Sequence, residues 1–132
     1  MRFAGQVKMP INTQFIEELK IIESVFGEKV TIDDMKVAAR QALELGTQKG
    51  TRLFLVDCTH LVKGGTIVQL YSMGDYYEKL NLLPGIKQAV VLSKAIGVQR
   101  DIRFYETATR NRGYDVRVFA DRSEAVAWLL HN

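Results

Sequence analysis

Asp57, Cys58, Thr59 and His60 bring a carboxylate, a thiol, a hydroxyl and an imidazole together at the end of an apolar run, LFLVD. A thiol becomes a nucleophile when a neighbouring base takes its proton, so Cys58 with His60 is a combination that could attack a carbonyl. The pairing has no characteristic spacing, and no third group that would orient the imidazole is evident. The plainer expectation is a small buried hydrophobe at Cys58 and a carboxylate at Asp57 that braces the following loop. Thr66 follows Gly64 and Gly65 at the start of a helix, where free amides can hold an anion. The segment has neither the lysine of a P-loop nor the GxGxxG spacing. A Thr cap fed by a flexible loop is the simpler reading.

Arg100, Arg103 and Arg110 can share one side of a later helix. Guanidinium groups suit carboxylates and phosphates, although Asp101 and Glu106 would neutralise part of that field, and a solvated face is the plain alternative. No Cys/His cluster has metal-ligand spacing, so neither a metal nor a cofactor is expected. His131 carries no evident role.

These residues must be positioned by alternating elements. LKIIESVF, residues 19–26, has apolar groups on both faces, as an interior strand does. RFAGQVK, residues 2–8, could be an earlier strand, with residues 9–12 as the turn between them. Thr31 can cap a first helix, with Asp33 and Asp34 in its first turn and Val30 and Met35 as a hydrophobic staple. Met35, Ala38, Ala39, Ala42 and Leu45 repeat at helical spacing, and Gly46 or Gly50 supplies the exit. Residues 52–57 and 87–93 read as strands covered on both sides. Helices are expected over 66–80, with Thr66 and Gln69 at capping-box spacing, and over 98–112. In the latter, Val98, Ile102, Phe104, Tyr105 and Ala108 make the core side. Arg110, Arg112 and Gly113 mark its end. Val116, Val118 and Phe119 form a last strand, and Asp121 with Glu124 opens a last helix carrying Ala125, Trp128 and Leu129.

The order ββαβαβαβα implies an α/β fold, a mixed, mostly parallel sheet covered by about four helices. It resembles the STAS fold of sulfate-transporter and anti-sigma-antagonist domains. More closely, residues 19–130 resemble the SpoIIAA-like group, also described as STAS/SEC14-like. The segments that carry the resemblance are Phe26-Gly27 before the Thr31 cap, the LFLVD strand, and above all Phe104-Tyr105-Glu106-Thr107, Asn111-Arg112-Gly113, Val116-Arg117-Val118-Phe119 and Ala125-Val126-Ala127-Trp128-Leu129. The SEC14-like label implies a lipid-like ligand. The Asp-Ser-Ser-Gly phosphoacceptor segment of anti-sigma antagonists is replaced here by Lys63-Gly64-Gly65-Thr66-Ile67. Thr66 is the only hydroxyl left for phosphoregulated signalling.

The helix over 66–80 is apolar or aromatic nearly all round, more than one sheet contact requires. Ile67, Leu70, Tyr71 and Gly74 share a face, with Tyr77 at its edge and Val68, Met73 and Tyr76 elsewhere. Tyrosine and methionine suit interfaces and adaptable pockets. The expected function is therefore a non-catalytic regulatory or binding module. It would present Leu70, Tyr71, Met73, Tyr76 and Tyr77, with Asp57, Cys58, His60 and Thr66 nearby, to a protein partner, a second copy or an apolar small molecule. A homodimer through that helix or an exposed edge strand is expected. The competing readings are phosphoregulation at Thr66 and a small thiol enzyme using Cys58 and His60.

Composition sets the outer bounds. The 132 residues suit one domain, 1–132, and 47% apolar with 25% charged residues is ordinary for a globular chain. The net charge is +3 and the pI about 9.1, but the basic excess is spread along the chain, so nucleic acid is not an expected partner. No apolar run is long enough for stable membrane insertion. With no signal-like start and a single cysteine, a cytoplasmic location is expected.

Overall fold

The computed structural model describes residues 10–81 and 85–131. The sheet begins with a hairpin of β1 (Ile11–Ile16) and β2 (Ile21–Phe26), paired antiparallel with Thr13 opposite Ser24. The expectation of a turn over 9–12 is corrected here, because Ile11 and Asn12 already belong to β1. Its polar residues hide the alternation: Asn12 and Gln14 point to solvent, while Ile11 joins the core and Phe15 packs behind it. An edge strand tolerates this. The turn itself falls at 17–20 and uses Lys20 in the left-handed region, φ 58°. The strand expected over 2–8 lies outside the described residues.

β2 then pairs parallel with β3 (Leu53–Asp57), β3 with β4 (Lys87–Val91), and β4 with β5 (Asp115–Phe119), so spatial order follows chain order. Between them run α1 (Ile32–Lys49), α2 (Ile67–Lys79) and α3 (Ile96–Asn111), and α4 (Arg122–Leu130) follows β5. The result is a mixed, mostly parallel five-stranded sheet with four helices among the described residues.

Side-chain alternation sorts the helices between the two faces of the sheet. Ile22, Phe54, Val90 and Val116 point to one face and pack against α1, α2 and α3. Ile21, Leu55, Ala89 and Val91 point to the other and pack against Ala125 and Leu129 of α4. α4 is the sole helix on that face among the described residues, and polar clamps add to its hold. The Lys87 ammonium donates to the Trp128 and His131 carbonyls at 2.7 and 3.0 Å and lies 4.3 Å from the Trp128 ring centre. At its other end, Arg122 pairs with the buried Glu23 at 2.9 Å.

The helix boundaries follow local chemistry. Thr31 and Asp34 close a full capping box on α1, and Thr66 and Gln69 do the same on α2. Asp121 accepts from the Glu124 amide at the start of α4. Gly50, at φ 69°, is the exit of α1. Gly46 serves packing instead: a Cβ there would stand 2.8 Å from the Phe54 ring, so its hydrogen lets α1 descend onto β3.

Candidate ligand cavity

Three alanines on α1 leave space over the sheet. Ala38, Ala39 and Ala42 face β3 and β4, where longer side chains would fill the layer. The cavity has a volume of about 110 Å³, and its walls include Met35, Phe54, Val90, Leu70, Met73 and Ile102. Gly64 and Gly65 line it near the C-terminal ends of the parallel strands. A second cleft of about 500 Å³ lies toward the opposite end of the strands, lined by Leu43, Ile86, Tyr114 and Asp115. The two share Ala39, Ala42, Phe54, Tyr77 and Gln88 in their walls. Across the top of this space α1 and α2 are joined by the Tyr76 hydroxyl, which donates to the Lys36 carbonyl at 3.2 Å.

The walls carry one polar chain. The Tyr105 hydroxyl donates to Gln88 Oε1 and lies 2.7 Å from the Tyr77 hydroxyl, which is left to donate to it. Burial raises the pKa of both phenols, that of Tyr105 strongly with the neighbouring Tyr77 adding to it; for Tyr77 the bonds to Tyr105 and Gln88 pull the other way. Both are therefore neutral hydrogen-bonding groups at ordinary pH. Tyr77, Tyr105 and Gln88 thus bond to one another within the wall, and no buried side-chain polar atom among the described residues lacks a partner.

Cys58 is buried in the same wall. Burial, reinforced by the Asp57 carboxylate, pushes its thiol up to about 12. The sulfur is therefore protonated, the opposite of what an attacking thiolate needs. His60 is exposed on the loop. Asp57 accepts from the Thr59 amide at 2.9 Å and from the Thr59 hydroxyl, bracing the turn after β3. The four residues are close in sequence, yet they form no proton-transfer chain.

α2 divides differently from the expected wheel. Its buried stripe is Leu70, Met73, Gly74 and Tyr77, the i, i+3, i+4, i+7 spacing of a sheet-facing helix. Leu70, Met73 and Tyr77 thus line the cavity and are unavailable to an external partner, which corrects their place on a presented face. Tyr71 is exposed, and Tyr76 is half-buried in the α1–α2 bridge. Thr66 is exposed, its hydroxyl accepting from the Gln69 amide at 3.2 Å. Arg100, Arg103 and Arg110 are exposed along α3, and among the described residues none has an ion pair. No group of three or more His, Cys, Asp or Glu among the described residues could hold a metal.

Gln88 and Arg112 went unrecognised in the sequence as functional or structural organisers. Gln88 sits in an apolar strand, KQAVV, where a lone polar residue on the helix-facing side is the signal to look for. Arg112 reads as a dipole charge at the end of α3 but reaches α2, pairing with Asp75 at 2.9 Å and Glu78 at 2.8 Å. On the core side of α3, Thr109 is buried, its hydroxyl donating to the Tyr105 carbonyl at 2.8 Å.

Strand order and helix placement define a five-stranded mixed α/β domain among the described residues. Among solved structures the chain is similar to that of an uncharacterized protein from the DUF3478 family with a SpoIIAA-like fold, from Shewanella loihica PV-4. The two are 18% identical over 90% of this chain and 91% of the other, with a TM-score of 0.47. No family model and no curated protein matches the chain. No helix among the described residues is long and apolar enough to cross a membrane.

Proposed function

We propose that this chain is a non-catalytic binding module that holds a small, mainly apolar molecule between α1, α2 and the sheet. The observation that carries this reading is the cavity of about 110 Å³ walled by methyl, thioether and ring groups. Filling the space would be easy, since one larger residue at Ala38 or Ala42 would suffice. Engineered apolar cavities of about 150 Å³ stay dry and take up benzene. The protonated Cys58 thiol and the solvent-facing His60 favour binding over thiol catalysis.

Titration with benzene, toluene and 1-hexanol, followed by thermal unfolding, tests the reading. Binding to the folded state alone raises Tm by mass action. The wild type should show a rise that Ala38→Leu removes, while Ala38→Leu is itself at least as stable without ligand. A wild type that ignores all three probes, or an Ala38→Leu variant that still responds, would refute it.

A further inference from the structure

Four aliphatic side chains stand in solvent at one end of the molecule: Val62 is 60% exposed, Ile67 50%, Val68 79% and Ile96 75%. Val62 lies on the connection from β3 into α2, Ile67 and Val68 open α2, and Ile96 opens α3 after the connection from β4. Those connections are neighbours. Their strands pair with Asp57 opposite Val91, and the Ser93 hydroxyl donates to the Leu61 carbonyl. Lys63, Lys94 and Arg100 are exposed among these aliphatics, and none has an ion pair among the described residues. One exposed acid, Glu28, stands at the edge of this face, its carbonyl accepting from the Val62 and Lys63 amides at 2.8 and 2.9 Å, and the exposed Lys29 beside it offsets its charge. The other acids at this end are engaged or set back: Asp57 is bonded to Thr59, Asp101 is half-buried against the cavity, and Asp33 and Asp34 occupy the first turn of α1.

We infer that this end docks on an anionic phospholipid surface, with the four aliphatics entering the acyl boundary and Lys63, Lys94 and Arg100 meeting the phosphates. Composition decides between a membrane and a protein partner. Protein interfaces favour aromatic residues and methionine and are poor in lysine, whereas interfacial membrane contacts combine aliphatic insertion with lysine and arginine near the headgroups. Here the tips are valine and isoleucine and two of the three cations are lysine. The helix dipoles act in the same direction, since α2 and α3 both begin here, and α3 begins at Ala95 with no side-chain cap. The contact is peripheral, and it does not depend on the cavity being filled.

Co-sedimentation with vesicles tests the inference. The protein should pellet with vesicles of equal parts phosphatidylcholine and phosphatidylglycerol, and stay in solution with phosphatidylcholine alone. Val68→Ser with Ile96→Ser should weaken the partition at least tenfold, and Lys63→Ser with Lys94→Ser should make the residual binding clearly less sensitive to added salt than that of the wild type. All four positions are exposed, so circular dichroism should be unchanged. Protein that remains in solution with the anionic vesicles would overturn the inference, as would variants that pellet like the wild type. A concentration-dependent dimer abolished by Val68→Ser with Ile96→Ser, without vesicle binding, would assign the face to a second copy instead.

Discussion

Arg112 lies directly across Gly74: a Cβ on that glycine would fall 2.3 Å from Arg112 Nε. The missing side chain gives the guanidinium a bed on α2, from which it reaches Asp75 and Glu78 and stands 5.5 Å from the Tyr71 ring centre. Gly74 and Arg112 thus lock the end of α3 to the middle of α2, which forms one wall of the cavity.

That relationship predicts a sign reversal. An interior helix glycine costs about 1 kcal/mol relative to alanine. In an Arg112→Ala background, Gly74→Ala should recover about that amount. In the wild type the same substitution displaces Arg112, and the exposed acids return only part of a kilocalorie per pair. Urea unfolding of the four proteins of this cycle should give a coupling of about 1 kcal/mol, and simple additivity would disprove the clasp.

Alkaline stability should depend on the cavity wall. The thiol of Cys58 is raised from an ordinary 9.0 to about 12, chiefly by burial and then by Asp57. The folded state therefore holds this proton more tightly than the unfolded chain does. Its contribution is complete below about pH 9 and is lost as pH rises toward the folded value. Tyr77 and Tyr105 act with the same sign above their ordinary 10.0. Between about pH 8 and pH 10.5 the wild type should lose roughly 2 kcal/mol or more. Cys58→Ala should show a shallower loss in denaturant titrations at those two pH values. Equal slopes would mean that Cys58 is accessible in the folded protein.

Glu23 and Arg122 offer a third test. The carboxylate is buried under α4, while the arginine is nearly half exposed. Arg122→Ala strands a buried charge and should cost about 2 kcal/mol, a figure reduced from that of fully buried pairs because of the exposure. Arg122→Ala combined with Glu23→Gln should recover part of the loss. Chemical denaturation of both variants would measure it, and no recovery would place the cost in α4 capping.

Elements with chemical markers at their ends were legible in the sequence. The Thr31 and Thr66 boxes, the Gly50 exit and the Asp121 cap lie where side-chain chemistry requires them. β1 was hidden because an edge strand needs only Ile11, Thr13 and Phe15 on one side, and its intervening polar residues read as a turn. The site was less legible. Pattern alone cannot say which stripe of an all-round apolar helix meets the sheet, so Leu70, Met73 and Tyr77 were grouped with Tyr71 on a presented surface although they are buried. Nor can it report a void, because Ala38, Ala39 and Ala42 reveal missing volume only once β3 and β4 lie opposite them.

Those alanines have a bearing on how the proposed binding space would change over time. The opening between the layers comes from three short side chains and requires no displaced backbone. A single base change can lengthen any one of them, or shorten a neighbour, while every strand register and helix cap stays in place. Guest preference can then drift along a lineage while the scaffold stays constant.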